Sequence, residues 1–256
     1  MGILDGKVAI VTGGARGVGR GISLALAKEG AAVVIAEINT ETGPATEKEL
    51  HELGAKALWV ECDVGQRDQV ESTVARTVEE FGGVDILINC ATGARPDTAF
   101  RTFLEHTDDQ VELQLSVEVW GSFFFMQTCH PHLRDSKVGR VINICSMAGT
   151  ERVPGFMIYS AAKEALRAMS GVAAKEWGPD GINVNVICPT ASTAATERFR
   201  SENPDLAAAS LKSLPLGRYG DCEDDIGRVA VFLSGPDSSF MTGQTLWVDG
   251  GAVIRS

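Results

Sequence analysis

Short apolar runs alternate along the chain with longer stretches whose apolar residues recur at helical spacing. Val8–Thr12, Ala32–Ala36, Ala57–Cys62, Ile86–Asn89, Val141–Cys145 and Ile182–Ile187 are rich in β-branched residues and bounded by glycine, proline or polar positions, so they read as buried strands. Between them, a helix carrying Ile22, Leu24, Leu26 and Ala27 ends at Gly30, and an amphipathic helix covers Gln66 to Phe81. A long helix spans roughly Thr107 to Leu133, and another runs from Tyr159 to Trp177, where Gly178-Pro179 stops it. Strand and helix alternating over the whole length predict an α/β fold, a doubly wound parallel sheet of about seven strands with helices on both faces. Ligands of such sheets sit beyond the carboxyl ends of the strands. Asp63, Asn89, Ser146 and Pro189 fall at four such ends and therefore point at one cleft.

Composition narrows the class of partner. With 256 residues, 44% of them hydrophobic, and no low-complexity linker, residues 1–256 can bury one core as a single domain. A formal net charge of −11 would be repelled by nucleic acid and by an anionic membrane, which leaves a small-molecule substrate. The opening Met-Gly-Ile-Leu-Asp-Gly-Lys has no signal-peptide apolar region, and no run approaches the roughly 20 apolar residues that span a bilayer. A cytoplasmic enzyme is expected. Cys62, Cys90, Cys129, Cys145, Cys188 and Cys222 stand singly, with no CxxC pair and no metal-ligand spacing to histidine, so reduced core thiols and no metal are expected. His130 and His132 flank Pro131 at an expected helix end, where a solvated cap without chemistry is the expectation.

The first strand runs directly into Gly13-Gly-Ala-Arg16-Gly17-Val18-Gly19 and then a helix. Glycines at 13, 17 and 19 let the backbone turn tightly and approach a pyrophosphate, while the helix amino terminus offers amide donors and its dipole. The second strand ends in Glu37, eighteen residues after Gly19, where a carboxylate accepts hydrogen bonds from adenosine ribose hydroxyls and repels a 2′-phosphate. The expected cofactor is NAD rather than NADP. Arg16 argues the other way, since a guanidinium in the turn can reach a 2′-phosphate, but the repulsive Glu37 is weighted more heavily.

Tyr159 and Lys163 are four apart and share one helix face. An ammonium about 5 Å from a phenol, at an effective dielectric of about 20, favours the phenolate by roughly 3 kcal/mol, about two pK units, so Tyr159 is expected to work near neutrality. Ser146, delivered by the preceding strand, is an uncharged donor for the same substrate oxygen. Alone, Tyr-x-x-x-Lys is ordinary helix decoration; the rest of the chain changes its weight.

Taken together, Thr12-Gly13-x-x-x-Gly17-x-Gly19, Asp63-Val64, Asn89-x-Ala91, Ser146 thirteen residues before Tyr159, Tyr159-x-x-x-Lys163, Pro189 and the tail Gly243-Gln-Thr-Leu-Trp-Val-Asp249-Gly-Gly resemble the short-chain dehydrogenases/reductases over essentially the full chain. The resemblance implies a Rossmann-type fold and a secondary alcohol or ketone as substrate. It implies Ser146 positioning the substrate oxygen, Tyr159 as acid/base and Lys163 tuning it and holding the nicotinamide ribose. It places Gly13, Arg16, Gly17, Val18, Gly19, Glu37, Asp63, Val64, Asn89, Ala91, Tyr159, Lys163 and Pro189 around the cofactor, residues 190–216 as a substrate lid, and the chain in a homodimer or homotetramer. An NADPH-dependent 3-oxoacyl-type reductase and a non-catalytic dinucleotide sensor are the other readings.

The departures from the family pattern are specific. Asn89-Cys90-Ala91-Thr92 stands where Asn-Asn-Ala-Gly is usual, and Ala194 stands where a carboxamide-binding threonine is usual, with Thr193 and Thr196 as replacements. Glu118 occupies the place of the family's catalytic asparagine and is counted with Ser146, Tyr159 and Lys163 as catalytic. Arg95 is a further candidate, for an anionic substrate.

Overall fold

The computed structural model describes residues 2–94 and 101–254; Arg95 lies outside them. Seven parallel strands, β1 Val8–Thr12, β2 Ala32–Glu37, β3 Ala57–Glu61, β4 Ile86–Asn89, β5 Arg140–Ile144, β6 Asn183–Pro189 and β7 Thr245–Val248, are ordered β3-β2-β1-β4-β5-β6-β7. The order reverses between β1 and β4, and the crevice outside that switch point is where such sheets bind ligands.

Both faces of the sheet are covered, which explains why its strands are continuously apolar rather than alternating. Ala9 and Val11 pack with Ile22 and Leu26 of α1 (Gly17–Lys28) and with Val231 and Leu233 of α10 (Arg228–Ser234). Ile10 faces the other layer, with Val70 and Val74 of α3 (Arg67–Phe81) and Phe125, Cys129 and Leu133 of α5 (Gly121–Asp135). The elements α2 (Thr42–Glu52), α4 (Asp108–Leu115), α6 (Met147–Glu151), α7 (Met157–Trp177), α8 (Ala194–Glu202) and α9 (Pro204–Lys212) complete the layers and the loops beyond the strand ends.

The helix expected over Thr107 to Leu133 is divided. Between α4 and α5, residues Ser116–Trp120 form a π-helical turn. Widened turns of this kind recur at functional sites, and this one carries Glu118. At its far end α5 continues through Pro131 to Asp135. Pro131 deprives the helix of one i→i−4 hydrogen bond, and buried Cys129 and Leu133 on either side anchor the segment to the core. His130 is therefore no solvated cap: its Nε2 lies 3.0 Å from Asp180 Oδ2 and its ring meets Trp177 edge-on. All six cysteines are free, and burial pushes the thiols of Cys90 and Cys188 up to about 12 and those of Cys62 and Cys222 up to about 11. No helix of the described residues is long and apolar enough to cross a membrane.

Candidate active site

The glycine turn after β1 is dictated by close packing. Gly13 adopts φ 61°, and a Cβ on Gly19 would sit 2.1 Å from the Gly13 carbonyl oxygen. Arg16 stands at the amino end of α1 without any side-chain cap hydrogen bond, so the first amides of that helix are directed donors for an anion. The Thr12 hydroxyl accepts from the backbone N–H of Cys90 at 2.9 Å and of Ala91 at 3.1 Å, tying the ends of β1 and β4 together beside the turn. This cradle fits the pyrophosphate of a dinucleotide.

Glu37, 4% exposed, ends β2 with Oε1 accepting from Asn39 N at 3.0 Å and lying 3.9 Å from Arg16 Nη2. The two residues that argue for opposite cofactors thus meet at one point. Asp63 Oδ1 accepts from Gly65 N at 3.0 Å, which fixes the loop after β3, and Val64 is buried beneath it. The Asn89 side chain is buried and donates from Nδ2 to Asn143 Oδ1 at 2.8 Å, joining β4 to β5. This side-chain bond lies within the sheet, while the amides of Cys90 and Ala91 that follow it are held by Thr12.

Pro189 closes β6 opposite Val248. Of the two threonine candidates, Thr193 lies beside the glycine turn, its Cγ2 3.2 Å from the position of a Cβ on Gly17. Thr196 is occupied in the cap of α8, where its hydroxyl accepts from Thr193 N at 2.7 Å and donates to backbone carbonyls. The helices α8 and α9 of the expected lid contain no buried residue. An open hollow of about 450 Å³ beside them is lined by Ser192, Arg200, Leu211 and Tyr219 but by none of Ser146, Tyr159 and Lys163.

The chemical centre lies between the end of β5 and the start of α7. Ser146 caps α6, its Oγ accepting from Ala148 N at 3.1 Å, so its own hydroxyl proton remains to be donated. Tyr159 is half-buried in the first turn of α7, one turn before Lys163, whose Nζ is 5.5 Å from the Tyr159 ring centroid. Lys163, 3% exposed, donates from Nζ to Ile144 O at 2.9 Å and pairs with Glu118 Oε1 at 3.1 Å. Glu118 is fully buried, and the Thr92 hydroxyl donates to the same Oε1 at 2.5 Å.

These charges correct one expectation. Burial raises the Tyr159 phenol; Lys163 pulls it down, Glu118 pushes it up and a hydrogen bond with Ser146 lowers it, and the balance lies above the ordinary value of about 10 rather than near neutrality. The lysine charge is shared with Glu118 and so does less for the phenol than an isolated ammonium. Burial alone would lower Lys163, but Glu118 and then Tyr159 outweigh it and raise its pKa, keeping the ammonium charged. Thr92 was not singled out by its chemistry in the sequence; the available signal was its place in the stretch after β4 that departs from the family pattern.

Comparison with known proteins finds relatives over almost the full chain. A family model described as enoyl-(acyl carrier protein) reductase matches residues 13–253. A 12α-hydroxysteroid dehydrogenase of Clostridium sp. is 42% identical over 98% of both chains. A diacetyl reductase [(S)-acetoin forming] of Staphylococcus epidermidis is 34% identical over 97% of this chain and 99% of its own. The crystal structure of an NAD+-bound xylitol dehydrogenase superposes with a TM-score of 0.89 at 32% identity, covering 97% of this chain and 99% of that one.

Proposed function

As the chain belongs to the short-chain dehydrogenase/reductase family and is an oxidoreductase, we propose that it interconverts a secondary alcohol and its ketone with NAD, using Tyr159 as the acid/base. The observation that carries this reading is the convergence of Ser146, Tyr159 and Lys163 at one strand end, with a buried carboxylate holding the lysine charged. When bound, the nicotinamide ring supplies the hydride acceptor.

Ser146 accepts from Ala148 N and hydrogen-bonds the Tyr159 phenol, which sets it beside Tyr159 to hold the substrate oxygen. In the oxidative direction Tyr159 Oη receives the proton of the substrate hydroxyl. The Lys163 ammonium stabilises the phenolate that must form first, and it has one N–H beyond those given to Ile144 and Glu118. Tight placement of these groups contributes as alignment rather than as new chemistry.

Glu37 supports NAD, because a buried carboxylate at the end of β2 would repel a 2′-phosphate brought to it. The contact with Arg16 is the observation that favours the NADPH-dependent reductase. The ion pair between Glu118 and Lys163 favours an enzyme over a non-catalytic sensor. We place the chain in a homodimer or homotetramer, because Trp120 on the π-helical turn and Val172 on α7 are 53% and 55% exposed, and, from its sequence, in the cytoplasm.

The test is turnover of a panel of secondary alcohols with NAD and with NADP, alongside dissociation constants for both and light scattering of the same preparation. Expected are turnover with NAD, tighter NAD binding that Glu37→Ala relaxes, and a mass above the monomer. Tyr159→Phe is expected to lower kcat about 10³-fold while cofactor binding survives. Tighter binding of NADP, a monomer at micromolar concentration, or a Tyr159→Phe variant with most of its turnover would each remove the corresponding part.

A further inference from the structure

Thr92 lies on the exposed loop after β4, while Glu118 lies in the π-helical turn and is fully buried. Their contact is directional. The backbone N–H of Ala94 donates to Thr92 Oγ1 at 3.1 Å, which uses the hydroxyl as an acceptor and leaves its proton for Glu118 Oε1 at 2.5 Å. Glu118 Oε1 in turn holds Lys163 Nζ at 3.1 Å. Its other oxygen, Oε2, is buried and has no hydrogen-bond partner among the described residues. A carboxylate bound through one oxygen only can rotate about its terminal torsion, which is broad and weakly restrained. Two donors converging on Oε1, one from the loop and one from α7, are what fixes the rotation here.

We propose that Thr92 is a positioning residue that acts through Glu118. It fixes Oε1 on Lys163 and gives the buried Glu118–Lys163 pair its hydrogen-bonded link to the exposed loop. The positions of Thr92 and Glu118 therefore form one device: a longer, charged side chain at 118 needs a hydroxyl at 92. The inference rests on the dehydrogenase reading, since its consequence for turnover runs through Lys163 and Tyr159. Hydrogen bonds to a charged group in a dry site are stronger than neutral ones, so loss of the Thr92 hydroxyl is felt at Lys163 although Thr92 is expected to touch neither substrate nor cofactor.

The experiment is a double-mutant cycle over wild type, Thr92→Val, Glu118→Asn and the double variant, with Thr92→Ser as the conservative control. Steady-state kinetics give the effect on turnover, and thermal unfolding gives an effect independent of activity. Thr92→Val is expected to lower kcat about tenfold in the wild type with KM and the NAD dissociation constant within about twofold, and by less than about twofold in Glu118→Asn. Thr92→Ser is expected to restore most of the turnover. The midpoint of unfolding should fall by about 3 °C on Thr92→Val in the wild type and by less than about 1 °C in Glu118→Asn. An active wild type in which Thr92→Val has the same effect in both backgrounds, or none, would overturn the proposal alone. A wild type inert on every alcohol would overturn the dehydrogenase reading, and the unfolding cycle would still decide whether Thr92 holds Glu118.

Discussion

The two sides of the cleft are built by opposite means. On the cofactor side, the turn after β1 is fixed by backbone: a Cβ on Gly19 has no room, Thr12 ties two strand ends together, and Glu37 is buried with a hydrogen bond to Asn39. On the side of the expected lid, α8 and α9 contain no fully buried residue and leave Leu206 and Leu211 partly in solvent. The first side has little freedom, because a Cβ on Gly13, Gly14 or Gly19 would meet backbone atoms. The second is specified by surface side chains, which can change without disturbing the sheet. The proposed dehydrogenase reading puts the hydride chemistry on the fixed side and the choice of substrate on the variable one.

Gly19→Ala should have the largest effect in the comparison. Alanine is the better helix former, by up to about 1 kcal/mol, but its Cβ would sit 2.1 Å from the Gly13 carbonyl oxygen, so backbone must move. Overpacking of this kind costs about 1–3 kcal/mol, and the movement spoils the anion cradle as well. The expected outcome is a midpoint of unfolding lower by roughly 4–6 °C and an NAD dissociation constant raised at least about tenfold. Differential scanning fluorimetry and NADH fluorescence titration read the two. Unchanged NAD affinity would mean that the turn is not where the dinucleotide lies.

The fixed side was the more legible one in the sequence, for a physical reason. Strands buried on both faces are continuous apolar runs, and a tight turn against a helix demands glycine, so Val8–Thr12 and Gly13 to Gly19 announce themselves locally. The π-helical turn at Ser116–Trp120 has no such signature, because one extra residue in a helix changes neither composition nor periodicity enough to be seen. The Thr92–Glu118 hydrogen bond joins residues on separate elements and exists only once the chain is folded. The direction of the Tyr159 shift is not legible for the same reason: the pair Tyr159 and Lys163 is visible as a spacing, whereas burial and the partner on another element that shares the lysine charge are not.

Glu118→Asn probes the centre between the two sides and should have an intermediate effect. A neutral amide keeps an acceptor for Lys163 and removes the negative charge that helps to raise the Tyr159 phenol. Oxidation requires the phenolate, so activity rises with pH as Tyr159 ionises. Removing a cause that raises its pKa must shift the acid limb of kcat/KM to lower pH, with kcat at the plateau changed by no more than about threefold. A pH profile of alcohol oxidation checks this. A limb that stayed in place or moved to higher pH would show that the Glu118 charge is not felt at Tyr159.

On the lid, Leu206→Ser should change least, and that small change is the sharpest test of the contrast. Leu206 is 57% exposed on α9, in a helix with no buried residue, so its removal leaves no cavity and strands no polar group. Exposed substitutions of this sort fall within about 0.5 kcal/mol in stability, a shift of no more than about 2 °C in the unfolding midpoint. If the lid meets the substrate through its apolar residues, losing one should raise KM by a few-fold for an apolar alcohol while leaving kcat and the NAD dissociation constant alone, since a single hydrophobic contact contributes on the order of 1 kcal/mol. KM values for a large apolar alcohol and for a small polar one, measured side by side, separate the possibilities. An increase confined to the apolar substrate places Leu206 on the substrate side of the lid. Equal KM values for both, with stability unchanged, would move substrate selection away from α9, and a loss of several degrees would show that the lid is packed as tightly as the glycine turn and that the contrast itself is wrong.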